Sequence, residues 1–169
     1  MEQKDKQPPS IAPEDDSFSK NLALAIKDEN IRRPFTVTMK IRGGIPSQGY
    51  ILDFSASGDG TAECSFQCSL SDREGASQKA NLDTKDLIEL LRKVERIVKL
   101  PQEQPLFLPD TLVGIVEVSD GTYLRRFYFA ADPEQAKRQG KVPAAELLQL
   151  VNAIYAVGAK LTGHRNVKP

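Results

Sequence analysis

Residues 83–100 read DTKDLIELLRKVERIVKL and predict the helix against which the rest of the chain folds. Its apolar residues recur every three or four positions, as on one buried helix face: Leu87, Leu90, Leu91, Val94, Ile97 and Val98. Asp83 is a favourable N-cap because its carboxylate can accept from free backbone N–H groups. Pro101 has no N–H with which to continue the helix, so we expect the helix to end before it.

Three strands are predicted on the N-terminal side of this helix. Residues 35–42 (FTVTMKIR), 50–56 (YILDFSA) and 61–70 (TAECSFQCSL) alternate apolar and polar side chains, which is typical of half-buried strands. Glycine-containing turns join them, so an antiparallel meander is expected. Cys64 and Cys68 are the only cysteines, and both belong to the apolar set of the third strand. Their Cα atoms would lie ~13 Å apart on that strand, too far for a disulfide, so we expect two buried thiols.

Two further strands are predicted on the C-terminal side of the helix. Residues 111–118, TLVGIVEV, are apolar on both faces for most of their length, as expected of an interior strand. Within this strand, Gly114 marks a place where another group approaches closely. Asp120 and Gly121 form a strong hairpin signal, so residues 122–130, TYLRRFYFA, are expected to return as the next strand.

These elements predict an α+β fold. A second helix begins at Pro143, a favoured first-turn residue, and ends at Gly163. The order βββ-α-ββ-α favours two layers, a five-stranded antiparallel sheet with two main helices on one face. The polar stretch 71–81 is expected to be a loop, and residues 132–141 a loop or a single turn.

The predicted domain spans residues 34–163. Residues 1–33 contain three prolines, mixed charges and few apolar residues, so we expect a disordered or loosely docked N-terminal tail. Within it, residues 17–30 (SFSKNLALAIKDEN) could form about two helical turns that dock on the domain or on a partner. A frayed linker is the preferred interpretation of that segment. Residues 164–169 are expected to form a C-terminal tail.

Composition excludes several classes of function. The 169 residues contain 23 basic and 23 acidic side chains, so no net charge draws the chain to nucleic acid or to an anionic membrane. No apolar run approaches the ~20 residues of a membrane span, and the first ten residues lack the apolar core of a signal peptide. The expected location is cytoplasmic, and the expected partner is neither a nucleic acid nor a membrane. No small-molecule ligand is evident.

The sequence lacks the combinations of residues that ordinary catalytic and metal sites need. His164 is the only histidine and lies in the predicted C-terminal tail, where a fixed position beside a nucleophile is not expected. Ordinary zinc and iron sites need several histidine or cysteine ligands close together, and this chain has one histidine and two separated thiols. No cofactor or metal is therefore predicted. Asp53 and Glu63 could approach each other across a hairpin, but an open sheet face supplies no glycosidase cleft. Arg125, Arg126 and the basic residues of the first helix are expected to be ordinary solvent-exposed side chains. An RNA-binding surface is the less favoured interpretation of these residues.

Several stretches together resemble one protein family. They are VTMKIRGGIPSQGYILDF (37–54), the end of the first helix at Leu100-Pro101, LPDTLVGIVEVSDGTYLRRFYF (108–129) and a final helix that opens at Val142-Pro143. Over roughly residues 36–157 this order resembles emfourin-like proteins, small bacterial proteins whose namesake inhibits thermolysin-like metalloproteases encoded beside it. The cysteine strand, the N-terminal tail and the 71–81 loop depart from that pattern.

Two classes of function follow, and we do not expect an enzyme. The first is a non-catalytic protein-binding module. The resemblance implies that this module is a protease inhibitor with a metalloprotease as its partner. Its expected binding residues form one turn: Arg42, Gly43, Gly44, Ile45 and Pro46. The alternative is a structural or assembly subunit whose exposed sheet face or N-terminal segment holds a larger complex. A neighbouring metalloprotease gene would favour the first class, and co-purification in a stable multi-subunit particle the second.

Overall fold

A computed structural model describes residues 10–11, 17–27, 35–43, 50–58, 60–68, 76–100 and 112–163 of the protein. The strands are β1 (Ser10–Ile11), β2 (Thr36–Gly43), β3 (Tyr50–Ser57), β4 (Thr61–Cys68), β5 (Ala76–Asn81), β6 (Leu112–Ser119) and β7 (Tyr123–Ala130). The helices are α1 (Ser17–Lys27), α2 (Thr84–Ile97), α3 (Pro133–Arg138) and α4 (Ala145–Thr162). The predicted order βββ-α-ββ-α is present, and β1, α1, β5 and α3 are added to it.

Six strands form one continuous antiparallel sheet, and β1 adds a short parallel edge. The strand order is β1-β7-β6-β2-β3-β4-β5. β2 lies between β6 and β3, so Met39 has Val116 opposite it on one side and Phe54 on the other. The α+β class is therefore confirmed, whereas the predicted number of five strands is wrong.

β5 corrects the prediction of a loop over residues 71–81. It pairs antiparallel with β4, with Ala80 opposite Ala62 and Lys79 opposite Glu63. Its sequence, ASQKAN, contains no β-branched or aromatic residue, so its side chains give no sign of a strand. Hydrogen bonding to the backbone of β4 at the sheet edge defines this strand instead.

The predicted organising helix forms as α2. Asp83 is its N-cap, and the Oδ1 of Asp83 accepts from the backbone N of Lys85 at 3.0 Å. The whole predicted apolar stripe is buried: Leu87, Leu90, Leu91, Val94, Ile97 and Val98. These side chains share one core with α1, α4 and the sheet, so α2 is central to the packing.

The helices that contribute to the core cover one face of the sheet. The buried strand residues lie opposite one another in the register and so share that face: Val37, Met39, Ile41, Phe54, Ala56, Ala62, Cys64, Val116, Val118, Phe127 and Phe129. The inward direction predicted for Cys64 is confirmed by its exposure of 1%. The side chain of Cys68 lies outside the described residues. No helix in the described part of the chain is long and apolar enough to cross a bilayer.

Helix α1 belongs to the folded domain. Phe18 and Leu22 have no exposed surface and lie in the core with the residues of α2 and α4. Asn21 Nδ2 donates to Asp120 Oδ2 at 3.0 Å, which ties α1 to the turn between β6 and β7. A domain that begins at residue 34 therefore leaves out a helix of the core. Eleven residues give a helix little stability alone, and its stability comes from the side chains that it buries.

The turn between β6 and β7 and the close approach at β6 form as predicted. Asp120 Oδ1 accepts from two backbone N–H groups at 2.7 and 2.9 Å, and Gly121 has a φ of 88°, which favours glycine. A Cβ atom at Gly114 would overlap the ring of Phe129, which lies opposite it on β7. Glycine at position 114 therefore leaves the space that this ring occupies.

Two helices follow β7. Asp132 caps the six-residue α3 by accepting from the backbone N atoms of Glu134 and Gln135 at 2.9 and 3.2 Å. α4 begins two residues after Pro143, close to the predicted start, and Gly163 ends it with a left-handed φ of 71°. The stretch predicted as a loop or a single turn is thus a short capped helix.

Candidate functional site

The predicted binding turn begins where β2 ends. Arg42 and Gly43 are both exposed, and Gly43 has a φ of 115° in the region that favours glycine. Arg42 Nη1 donates to the backbone carbonyl of Ile41 at 2.8 Å, which holds the guanidinium against its own strand. The remaining predicted residues of the turn, 44–46, lie outside the described residues.

Four side chains lie beside Arg42 on the sheet face that the helices do not cover. Lys40 is opposite Ile115, Ile115 is opposite Tyr128, and Arg42 is opposite Val113. Residues directly opposite each other in an antiparallel pair project to the same face, with Cβ atoms ~5 Å apart. The five residues therefore form one continuous surface, which we call the β2–β6–β7 patch.

The β2–β6–β7 patch combines positive charge with aliphatic and aromatic surface. Lys40 and Arg42 are exposed, whereas Val113, Ile115 and Tyr128 are half-buried. The apolar side chains lie on the two neighbouring strands β6 and β7, and the cations lie on β2. The arrangement gives a partner an apolar contact beside two positive charges.

A polar row borders the patch on the side of the β6–β7 turn. Arg126 Nε donates to Glu117 Oε1 at 2.6 Å, and Glu117 lies opposite Thr38. The hydroxyl of Thr38 is buried and has no hydrogen-bond partner in the described part of the chain. The border of the patch on this side is therefore an ion pair between Glu117 and Arg126.

The described residues show no metal centre. No group of three or more His, Cys, Asp and Glu residues among them could hold a metal ion. Asp53 is opposite Ser65 and Glu63 is opposite Ser55, so the two carboxylate residues occupy diagonal positions across β3 and β4. Diagonal positions on such a pair lie ~7–8 Å apart.

No protein-family model matches the chain, and no curated protein matches it significantly.

A cavity of about 320 Å³ lies near the C-terminal end of β7, on the helical side of the sheet. It is bounded by β7, α3 and the first half of α4, and the side chains around it are mainly apolar. They include Phe129, Ala136, Val142, Leu148, Val151 and Tyr155. The sequence predicts β7 and α4 as parts of the core and the α3 stretch as a polar loop or a single turn, so it gives no sign of a cavity between them.

Two titratable side chains of α4 have shifted pKa values. Burial raises the pKa of the Tyr155 phenol above its ordinary value of 10.0. Asp86 raises the pKa of Lys160, because its Oδ2 accepts from Lys160 Nζ at 2.6 Å and its charge favours the ammonium. The Lys160 pair joins α4 to α2 at the surface, whereas Tyr155 lines the cavity.

The buried phenol of Tyr155 predicts a loss of stability in alkali. Below about pH 10 the phenol is protonated in both states and contributes no pH dependence. Above that pH the unfolded chain loses this proton while the folded chain keeps it, so ionisation favours unfolding by up to about 1.4 kcal/mol per pH unit. Urea unfolding at about pH 9 and pH 11 should therefore show a smaller drop for Tyr155→Phe than for the wild type. Tyr128→Phe is the matched control and should keep the wild-type drop; equal drops in all three proteins would contradict the prediction.

Proposed function

We propose that the protein is a cytoplasmic, non-catalytic protein-binding module and that the β2–β6–β7 patch is its binding surface. The observation that carries this proposal is the register that brings Arg42 and Lys40 beside Ile115 and Tyr128 on the open sheet face. Arginine and tyrosine are enriched among the residues that supply most of the energy of protein interfaces. Apolar residues between them supply surface that a partner can bury.

The chemistry of the patch favours a protein partner with an acidic edge. Lys40 and Arg42 are both exposed, so acidic groups of a partner can approach them while its apolar residues cover Ile115 and Tyr128. The patch lies on the face of a sheet, and such a surface suits another protein better than a small ligand, which binds in concave sites. Gly43, which is exposed at the end of β2, adjoins the patch.

The resemblance to emfourin-like proteins makes a thermolysin-like metalloprotease the first partner to test. Hydrolysis of a peptide substrate by purified thermolysin should slow when the wild-type protein is added. Arg42→Glu should weaken inhibition by about tenfold or more, because it reverses a charge at the edge of the patch. Lys85→Glu is the matched control, since Lys85 is exposed in the first turn of α2 within the helical layer. A glutamate there is compatible with the helix N-terminus.

The outcomes of this assay separate the two parts of the proposal. Inhibition that Arg42→Glu abolishes and Lys85→Glu preserves would support both the inhibitor and the patch. Equal inhibition by all three proteins would show that another surface binds the protease. Absence of inhibition by the wild-type protein would reject the proposal that the protein inhibits thermolysin-like metalloproteases.

A structural subunit is the second candidate function, and the extent of the open sheet face favours it. Polar residues continue across this face away from the patch, with Glu63 opposite Ser55 and Lys79 opposite Glu63. A permanent partner could cover the whole face. Fractionation of the native extract by size would then show the protein in one particle of fixed composition, also in cells without the protease.

A further inference from the structure

The cavity between β7, α3 and α4 has walls that local hydrogen bonds hold in place. Ala131 N donates to Leu112 O at 2.8 Å, which fixes the end of β7. The chain leaving α3 folds back on that helix, because Lys141 N donates to Ala136 O at 2.8 Å. These walls are thus formed without a ligand, and a preformed site loses little freedom when a ligand binds.

Small side chains leave the space of this cavity open. Ala130, Ala131 and Ala136 line it from the end of β7 and from α3, and each contributes only one methyl group. Four residues at helical spacing line it from one face of α4: Leu148, Val151, Asn152 and Tyr155. The volume of about 320 Å³ is ample for a ligand, since an apolar cavity of about 150 Å³ is enough to bind benzene.

The exposure of the wall residues shows where the cavity meets solvent. Phe129 and Ala136 are only 2% and 1% exposed, so they form its floor. Val142 has 59% of its surface exposed, and Lys137 and Asn152 are exposed as well, so these three mark its mouth. A buried apolar floor with a mouth at the surface is typical of a site for a small molecule.

Positive charge lies at the mouth of the cavity. Lys137 is the only charged residue among the described wall residues. Its Nζ lies 3.5 Å from Glu134 Oε1, and both of these side chains are more than half exposed. Such a pair contributes little, so Lys137 is available to a second anion. The amide of Asn152 can donate a hydrogen bond to the same anion.

We propose that this cavity binds a small amphipathic carboxylic acid, with its apolar body against Phe129 and Val151 and its carboxylate beside Lys137 and Asn152. At about 30 Å³ for each water-sized group, the cavity has room for roughly ten carbon atoms. The site lies on the helical side of the sheet, whereas the β2–β6–β7 patch lies on the other side. Binding of a small molecule here goes beyond the proposed function.

Titration calorimetry with decanoate tests the proposal on the full-length protein. The wild type should bind one decanoate, and it should bind 1-decanol more weakly by about threefold or more, because the alcohol has no charge to pair with Lys137. Lys137→Gln should remove this preference for the carboxylate. Arg138→Gln is the matched control and should keep it, since Arg138 is exposed on the same helix but is not a wall residue.

Variants that fill the cavity test the position of the site. Ala136→Leu should weaken decanoate binding by about tenfold or more, because its added atoms occupy the space of the ligand. Ala156→Leu adds the same atoms at an exposed position of α4 outside the wall and should leave binding unchanged. Thermal unfolding of each free variant shows whether it is folded. Leu148→Phe, at a half-buried wall position, repeats the test if Ala136→Leu does not fold.

The results of these titrations decide the proposal. Decanoate binding that a filled cavity weakens, with a carboxylate preference that depends on Lys137, would support it. Absence of decanoate binding by the wild type, or binding that a folded cavity-filling variant leaves unchanged, would overturn it. Equal affinity of the wild type for decanoate and 1-decanol would overturn the assignment of a carboxylic acid.

Discussion

Replacing Leu91 by alanine is expected to lower the free energy of unfolding by about 2–5 kcal/mol. Leu91 has no exposed surface and lies in the middle of the buried face of α2, in the core that α2 shares with α4 and the sheet. Removal of its side chain leaves a cavity that surrounding side chains fill only in part. A domain with a total stability of about 5–15 kcal/mol would lose a large fraction of it.

Arg92→Ala is the matched control for this prediction. Arg92 is the next residue of the same helix, and its contact is an ion pair with Glu89 at 2.6 Å in which both side chains are more than half exposed. Exposed pairs of this kind contribute little, so the expected cost is under about 1 kcal/mol. Alanine favours helix formation in both variants, which removes helix propensity from the comparison. Similar urea midpoints for the two variants would show that α2 is peripheral.

Gly114→Ala is expected to destabilise the protein by about 3 kcal/mol, although it adds a single methyl group. The new Cβ would overlap the ring of Phe129, which is only 2% exposed and has little room to move. Either the ring or strand β6 must shift, and both lie in the sheet layer of the core. Urea unfolding with the wild type as reference measures the cost.

A double-mutant cycle identifies the cause of this destabilisation. In a Phe129→Leu background the ring is absent, so Gly114→Ala should cost at least about 1 kcal/mol less than in the wild type. Both single variants need enough residual stability for a complete unfolding curve. An equal cost in the two backgrounds would assign the effect to strand backbone entropy or propensity and not to the close approach.

The sequence predicts the elements whose own pattern is strong. The apolar spacing from Leu87 to Val98 and the alternation around Met39 and Cys64 each mark a buried face without any knowledge of the partner. Local chemistry also predicts the Asp120-Gly121 turn and the close approach at Gly114. In each of these cases the signal lies within a few consecutive residues.

Two elements that depend on distant contacts were not predicted as they form: β5 was predicted as part of a loop, and the docking of α1 was only the less favoured alternative. β5 forms because the backbone of β4 is available at the sheet edge, and its own residues carry no preference for a strand. α1 is stable because Phe18 and Leu22 enter a core made mainly by later residues, with the ring of Phe18 meeting Phe35 edge-on at 6.4 Å. Neither cause is visible in a short window of sequence.

The candidate site was likewise predictable only in the part that depends on a local sequence pattern. Alternation along β2 predicts that Arg42 and Lys40 project away from the core, and the structure finds both exposed. Their neighbours Ile115 and Tyr128 follow from the pairing of β2 with β6, two strands with no turn between them in the chain. Register between such strands is set by the whole sheet, so the composition of the patch needed a structure.

The hydrogen bond between Asn21 and Asp120 joins α1 to a turn that is synthesised much later. The two residues are 99 positions apart, so a ribosome that adds about 5–20 residues per second completes Asp120 about 5–20 s after Asn21. During that interval the core still lacks β6, β7 and α4, and α1 is too short to persist as a helix alone. Phe18 and Leu22 therefore complete their core contacts only after these later elements have been made. The earliest of the described helices is thus among the last elements to finish docking.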